Sequence, residues 1–182
     1  MTALDRLGTN VRINKAKAFV RPSDVVVDVG CADGTLFERL QGSFKYGIGV
    51  DPLLEEKLES QSYTLYPGRF PDAVPTGTKC DVITMLAVLE HIPPAQQAKL
   101  SAFCHDLLND GGRIVITVPS PRVDGVLHLL LKLRLSQVTS AHEHYGYKPE
   151  HTPNLFPAPN FRLAQHQRFQ LGLNNLFVFE KT

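Results

Sequence analysis

The chain has 182 residues and a formal net charge of +1, from 19 Lys plus Arg against 18 Asp plus Glu. That balance leaves no clustered basic excess for a polyanion, so no nucleic-acid partner is expected. Hydrophobic residues make up 43% and charged residues 20%, which excludes a disordered or low-complexity chain, and the length suits one domain of roughly 150 residues or a little more. The cysteines Cys31, Cys80 and Cys104 form no CxxC pair, and an odd count frames no disulfide scaffold; a reducing, cytoplasmic setting is expected. Residues 1–20 lack the apolar core of a secretory signal. The longest apolar stretch, 126–135, is broken by His128, Lys132 and Arg134, and is too short and too charged to span a bilayer.

In chain order, residues 3–19 predict a helix with Leu4, Leu7, Val11, Ala18 and Phe19 as apolar positions and Arg12, Lys15 and Lys17 facing water. After the breaker Arg21-Pro22-Ser23-Asp24, residues 25–29 form an apolar run interrupted only by Asp28, the pattern of a buried parallel strand. Gly30-Cys31-Ala32-Asp33-Gly34 reads as a tight loop and 35–40 as a short helix. A strand at 46–50 is closed by Asp51-Pro52, followed by a helix at 53–60, a weak strand at 63–66 and a Pro- and Gly-rich loop at 67–79. A strand at 81–86, a helix at 94–108 with Pro in its first turn, and a strand at 113–118 come next. This alternation implies right-handed crossovers and a parallel sheet. The pattern then changes to a helix at 123–135, an aperiodic stretch at 136–160, and strands at 161–169 and 176–180. The link between those last strands is too short for a crossover, so they form an antiparallel hairpin. The expected fold is α/β: a doubly wound, Rossmann-like, mostly parallel seven-stranded sheet with an antiparallel C-terminal hairpin, in a single domain over 1–182.

The informative stretch is Val25-Val26-Val27-Asp28-Val29-Gly30-Cys31-Ala32-Asp33-Gly34. A strand, a Gly-rich turn and a helix let a ligand approach the backbone closely, because Gly30 and Gly34 carry no Cβ. Asp51, about 20 residues beyond the turn at the end of the neighbouring strand, is placed to accept the hydroxyl protons of a ribose. The sequence is not GxGxxG, however. Asp28 stands just before the first Gly, where a carboxylate repels a pyrophosphate but suits an amine. The ligand read from these residues has a ribose at one end, a cationic amine at the other, and no phosphate.

These residues resemble the class I S-adenosylmethionine-dependent methyltransferases, whose glycine motif is an acid followed by GxGxG. Here Asp28, Gly30, Ala32 and Gly34 stand in it, with Ala32 at the middle glycine. Asp51 matches the ribose-binding acid, Cys80 to Pro93 resembles the fourth strand and its following loop, and Leu108-Asn109-Asp110-Gly111-Gly112 resembles the turn into strand 5. The resemblance covers roughly residues 20–120 and is nearest to bacterial small-molecule enzymes such as quinone-precursor methyltransferases. It implies S-adenosyl-L-methionine as cofactor, with Gly30, Cys31, Ala32, Asp33 and Gly34 contacting the methionine part and Asp28 near its ammonium. Asp51 would hold the ribose, Pro52 flank the adenine, and Leu86 and Ala87 line the sulfonium. Gly68-Arg69-Phe70 stands where the family often has a Gly-acid-small sequence at the adenine; Arg69 replaces the acid, and Phe70 offers backbone bonds or stacking.

The expected reaction is in-line methyl transfer to a small-molecule or lipid-linked acceptor, with residues 121–160 as the insertion that covers the acceptor. A His near its ordinary pKa of about 6.5 suits a general base, and His91 or His144 is the candidate; a structural or cofactor-flanking role is the other reading of His91. His142-Glu143-His144 has the spacing for two metal ligands but no third, so no metal is expected. Helix 123–135 reads as core or lid, with weak membrane-surface contact as the alternative. Cys31 stands near a helix N-terminus, which could lower its pKa, or is simply a turn residue. The competing functions are a binding module that kept the cofactor site and lost catalysis, and a nicotinamide-dependent oxidoreductase.

Overall fold

The computed structural model describes residues 3–120 and 147–182. The helix expected at 123–135, with its membrane-surface reading, and the candidates His142 and His144 lie outside them.

Eight strands form one sheet in the order β3-β4-β2-β1-β5-β6-β8-β7. The strands are β1 (Val25–Val29), β2 (Tyr46–Asp51), β3 (Leu58–Glu59), β4 (Tyr63–Pro67), β5 (Cys80–Leu86), β6 (Leu108–Pro119), β7 (Phe161–Phe169) and β8 (Asn174–Lys181). The helices are α1 (Ala3–Lys17), α2 (Thr35–Arg39), α3 (Pro94–Leu107) and the helical turn α4 (Thr152–Leu155). β4, β2, β1, β5 and β6 run parallel; β3, β8 and β7 are antiparallel to their neighbours. The mostly parallel, doubly wound sheet with a terminal antiparallel hairpin is therefore present, with eight strands in place of the seven expected.

The extra strand belongs to a correction. The helix expected at 53–60 does not form; the segment is turns followed by β3, which pairs antiparallel with β4. Its residues have good helix propensity, but Leu53 is 86% exposed and Leu58 42%. A short helix without an apolar face to bury is not self-supporting in water. Instead the Asp51 carboxylate captures the Leu53 amide at 2.8 Å, and Ser60 N–H bonds Tyr63 O at 2.8 Å to close the hairpin.

Alternating side chains divide the core between two faces. Val27, Val29, Ile83, Met85, Ile114 and Ile116 face α3, α4 and the 69–74 turn, where Leu100, Cys104 and Phe156 cover them. Val26, Val82, Val115 and Val178 face α1 and α2, where Ile13, Ala16, Leu36 and Phe37 cover them. Ile13 and Ala16 are thus the buried residues of α1, with Val11 and Phe19, as expected, packed against the same cluster; Leu7 and Ala18, expected there, are exposed, and Arg12 and Lys15, expected in water, are half-buried. At the amino ends of the strands a buried ion pair joins Arg113 of β6 to Asp24, and Arg113 Nε also donates to Phe19 O at 2.5 Å. No described helix is long and apolar enough to cross a membrane.

Candidate active site

The carboxyl ends of β1 and β2 carry the Gly-rich turn. Gly30 has φ +75° and Gly34 φ +82°, the left-handed region that favours glycine. A Cβ on Gly30 would also collide with the Val88 side chain. Ala32 stands between them at φ +46°, so the methyl group at the middle position is accommodated at a backbone cost. The turn is sewn to β2: Gly30 N–H and Cys31 N–H both reach Val50 O, at 2.9 and 3.3 Å, and Ala32 N–H donates to Asp51 Oδ2 at 2.9 Å. Asp51 Oδ1 takes the Leu53 amide. Both oxygens of Asp51 are thus engaged once, and each keeps a second lone pair.

Two acids beside this turn are buried. Asp28, pointing to the α1 side of the sheet, is 4% exposed and accepts the Thr84 hydroxyl at 2.6 Å. Burial pushes its carboxyl up to about 7, with Thr84 opposing and the Asp51 charge adding. Glu90, in the 3-10 turn Leu89–His91 after β5, is 3% exposed. Burial raises it to about 7 as well, against its own backbone amide and the Arg12 cation. Glu90 Oε2 and, on β6, Thr117 Oγ1 are buried without a hydrogen-bond partner. Cys31 is the opposite of activated: burial first, then the charges of Asp28 and Asp51, raise its thiol. The five-residue α2 does not outweigh them, so the lowering that a helix N-terminus could give does not occur.

Next to Gly30 opens a cavity of about 490 Å³, within the range of small-molecule sites. Val29, Gly30, Val50 and Pro52 form its sheet side; Arg69 to Asp72 form one flank; Val88, His91, Ile92 and Pro93 form the other; Gln96, Lys99, Leu100 and Phe103 of α3 close it. Of the residues expected at the cofactor, Gly30, Pro52 and Phe70 line it, and His91 lies on its wall. Asp28, Cys31, Ala32, Asp33, Gly34, Asp51, Leu86 and Ala87 do not line it; they belong to the carboxyl ends of β1, β2 and β5 and the turns that follow β1 and β5. Ala87 takes φ +60° and donates to Thr117 O at 2.9 Å, ending β5. Among the described residues no His, Cys, Asp or Glu cluster is arranged for a metal ion.

Sequence reasoning missed the wall from α3. Gln96, Leu100 and Phe103 recur at helical spacing on one face, a signal that was available once the helix was placed. It also missed the burial of Glu90.

A cavity at the carboxyl ends of adjacent parallel strands, floored by a Gly turn, defines an α/β enzyme with a nucleotide-type site. Residues 5–168 match the methyltransferase-domain family. No curated protein sequence matches the chain. Among solved structures, the fold is similar to magnesium protoporphyrin IX methyltransferase (ChlM) from Synechocystis PCC 6803 with bound SAH. The TM-score is 0.69 and the identity 17%, over 97% of this chain and 85% of that one. It is similar to Burkholderia thailandensis 1,6-didemethyltoxoflavin-N1-methyltransferase with bound 1,6-didemethyltoxoflavin and S-adenosylhomocysteine, at TM-score 0.64 and 18% identity over 94% and 78%. It is also similar to the pyocyanin biosynthetic protein PhzM, at TM-score 0.67 and 17% identity over 96%, where it spans only 55% of that chain. The chain belongs to the methyltransferase-domain family, and its fold is that of solved methyltransferases, one with bound SAH.

Proposed function

We propose that this enzyme takes its methyl group from S-adenosylmethionine and delivers it to a small-molecule acceptor. The observation that carries the reading is the Gly30 cradle, positive in φ and closed to any Cβ by Val88, opening directly onto the 490 Å³ cavity. S-adenosylmethionine supplies an electrophilic methyl group on a sulfonium; the protein supplies position and a water-poor site. Holding two reacting groups in line is worth roughly 7–11 kcal/mol.

In this reading the backbone of Gly30 to Gly34 meets the methionine part, and the second lone pairs of Asp51 receive the ribose hydroxyls. Pro52 and Phe70 bracket the adenine, while Leu86 and Ala87 stand toward the sulfur. Asp28 lies beneath the turn and adds negative potential under a cationic ligand. His91, on the wall shared with Gly30, is placed to take the acceptor's proton, with His144 the alternative from outside the described residues. A base of this kind contributes about 10²- to 10⁴-fold. The three buried free cysteines support a reducing, cytoplasmic setting.

Calorimetry with S-adenosylhomocysteine and with NAD tests the reading. Saturable binding of the first and none of the second is expected; the reverse, or no binding of either, refutes it. A metabolite extract incubated with methyl-labelled cofactor then separates an enzyme from a binding module: a labelled product is expected, and binding without any transfer favours the module. His91→Ala and His144→Ala with unchanged cofactor binding and unchanged turnover would remove the base assignment.

A further inference from the structure

The apolar side chains that the fold leaves in water are not spread evenly. Among the described residues the three most exposed large ones are Leu171 (99%), Leu53 and Leu7 (62%), and all three stand at the end of the sheet where the cavity opens. Leu53 follows the tip of β2. Leu171 is in the turn between β7 and β8; Asn174 of β8 faces Pro119 at the end of β6, and Ser120 N–H donates to Leu173 O at 2.7 Å. α1 runs against the parallel strands. Phe19, just after it, meets Arg113 at their amino ends, and Arg12 lies near enough to Glu90, beyond β5, for its charge to act there. Leu7 therefore lies at the site end too.

Leu171 carries most of the argument. It takes φ +56°, next to Gln170 at φ +50°, a left-handed conformation in which glycine or asparagine is the ordinary choice and leucine is disfavoured. Gly172 N–H to Phe169 O at 3.1 Å and Leu173 N–H to Gln170 O at 3.0 Å close the turn without that side chain. The leucine strains the turn and packs on nothing, so folding gives no reason for it. Its surroundings are basic. Residues 6–21 and 161–179 contain seven of the 19 Lys plus Arg and none of the 18 Asp plus Glu. Lys15 of α1 joins the two stretches, with Nζ 3.2 Å from Gln167 Oε1 and 5.9 Å from the Phe169 ring centroid. Lys17 and Arg168 are exposed, while Arg162 is paired with Glu180. Leu53, by contrast, has Glu55 and Glu56 close by in the chain.

We propose that the face formed by α1 and the β7–β8 hairpin docks the enzyme on an anionic lipid surface, with Leu171 as the inserted residue and Lys15, Lys17 and Arg168 as its cations. An apolar tip flanked by cations suits a bilayer interface, where the side chain enters the headgroup layer and the cations meet lipid phosphates. A nucleic acid would engage the cations and leave Leu171 in water. The inference goes beyond the cofactor reading and does not depend on it.

The test is co-sedimentation with vesicles of phosphatidylcholine alone and of equimolar phosphatidylcholine and phosphatidylglycerol. Wild type is expected to bind the anionic vesicles, to ignore phosphatidylcholine alone, and to be released by high salt. Leu171→Asn suits the left-handed turn, so it folds at least as stably, and urea unfolding checks this. It is expected to bind the anionic vesicles about tenfold more weakly, the effect of withdrawing one large apolar side chain. Lys17→Gln combined with Arg168→Gln is expected to cost about tenfold or more. Leu58→Asn, at the other edge of the sheet, is expected to bind as wild type does. No binding of wild type to the anionic vesicles overturns the proposal. So does salt-sensitive binding that Leu171→Asn leaves intact, which is adsorption by charge alone. A wild-type dimer that forms without vesicles and that Leu171→Asn dissociates also overturns it, because Leu171 is then a contact between copies. S-adenosylhomocysteine binding is expected to be the same in every variant, so the cofactor reading stands or falls separately.

Discussion

Burying two acids at the strand tips has a measurable consequence for stability. In the unfolded chain Asp28 and Glu90 ionise at their ordinary values, 3.8 and 4.5; in the folded protein both sit near 7. The folded state therefore holds two protons that the unfolded state has already released between about pH 4 and pH 7. Where the native state binds more protons, stability falls as pH rises. At 1.36 kcal/mol per pH unit, the cost is about 4 kcal/mol for Asp28 and about 3 kcal/mol for Glu90, complete above pH 7 and absent below pH 4. Urea unfolding from pH 5 to pH 8 should show a falling midpoint. Asp28→Asn keeps an acceptor for the Thr84 hydroxyl, and Glu90→Gln keeps the volume of the side chain. Each should flatten part of the slope, and the double variant should be nearly pH-independent over this range. A wild-type profile that is level or rises, or an undiminished slope in the double variant, would refute the reasoning. The same charge balance predicts that a cationic ligand over the turn expels a proton from Asp28. Calorimetry at pH 7 in buffers of different ionisation enthalpy should register fractional proton release on S-adenosylmethionine binding, and none in Asp28→Asn.

Gly30→Ala sets a methyl group into Val88 at φ +75°; it should weaken S-adenosylhomocysteine binding at least tenfold while costing about 1–3 kcal/mol in denaturant unfolding. Gly47→Ala brings its Cβ to 2.5 Å from the Phe37 ring and 2.9 Å from Tyr63 Cβ, far from the cavity. A loss of about 1–3 kcal/mol is expected there with cofactor affinity unchanged. Arg113→Ala leaves Asp24, 4% exposed, without its buried partner, and urea unfolding should show a loss of about 3–5 kcal/mol; a smaller effect than that of an exposed pair such as Arg162–Glu180 would contradict the burial argument.

The parallel strands were legible because a strand buried on both faces reads as an almost unbroken apolar run, and 25–29, 81–86 and 113–118 all do. The Gly turn was legible because the need for positive φ leaves a mark on residue type. Other features were not. The stretch 53–60 carries helix formers, and only the absence of anything for Leu53 and Leu58 to pack against decides for β3. The buried face of α1 depends on which side meets the sheet, and Ile13 and Ala16 meet it while Leu7 and Ala18, equally apolar in the sequence, end exposed. The pairing of Asp28 with Thr84 spans 56 positions, and nothing local to either residue announces it.

The departure at Ala32 illustrates how the site holds together. A left-handed conformation is unfavourable for alanine by about 1–2 kcal/mol, so something must hold the turn in place. The Asp51 carboxylate does so, through the Ala32 amide at 2.9 Å, while it also starts the turn after β2 through the Leu53 amide. One side chain thereby sets the backbone on both sides of the strand tips. If Asp51 acts through this scaffold as well as on a ribose, Asp51→Asn should disturb more than ligand contacts. The amide group offers only one acceptor oxygen for the two backbone donors and turns an N–H toward the other. Thermal stability without ligand should fall together with S-adenosylhomocysteine affinity. Ala32→Gly, which relaxes the backbone at that position, should recover part of the stability lost in Asp51→Asn. A variant with full stability and reduced affinity would show instead that Asp51 acts on the ligand alone, and that the turn keeps its shape without it.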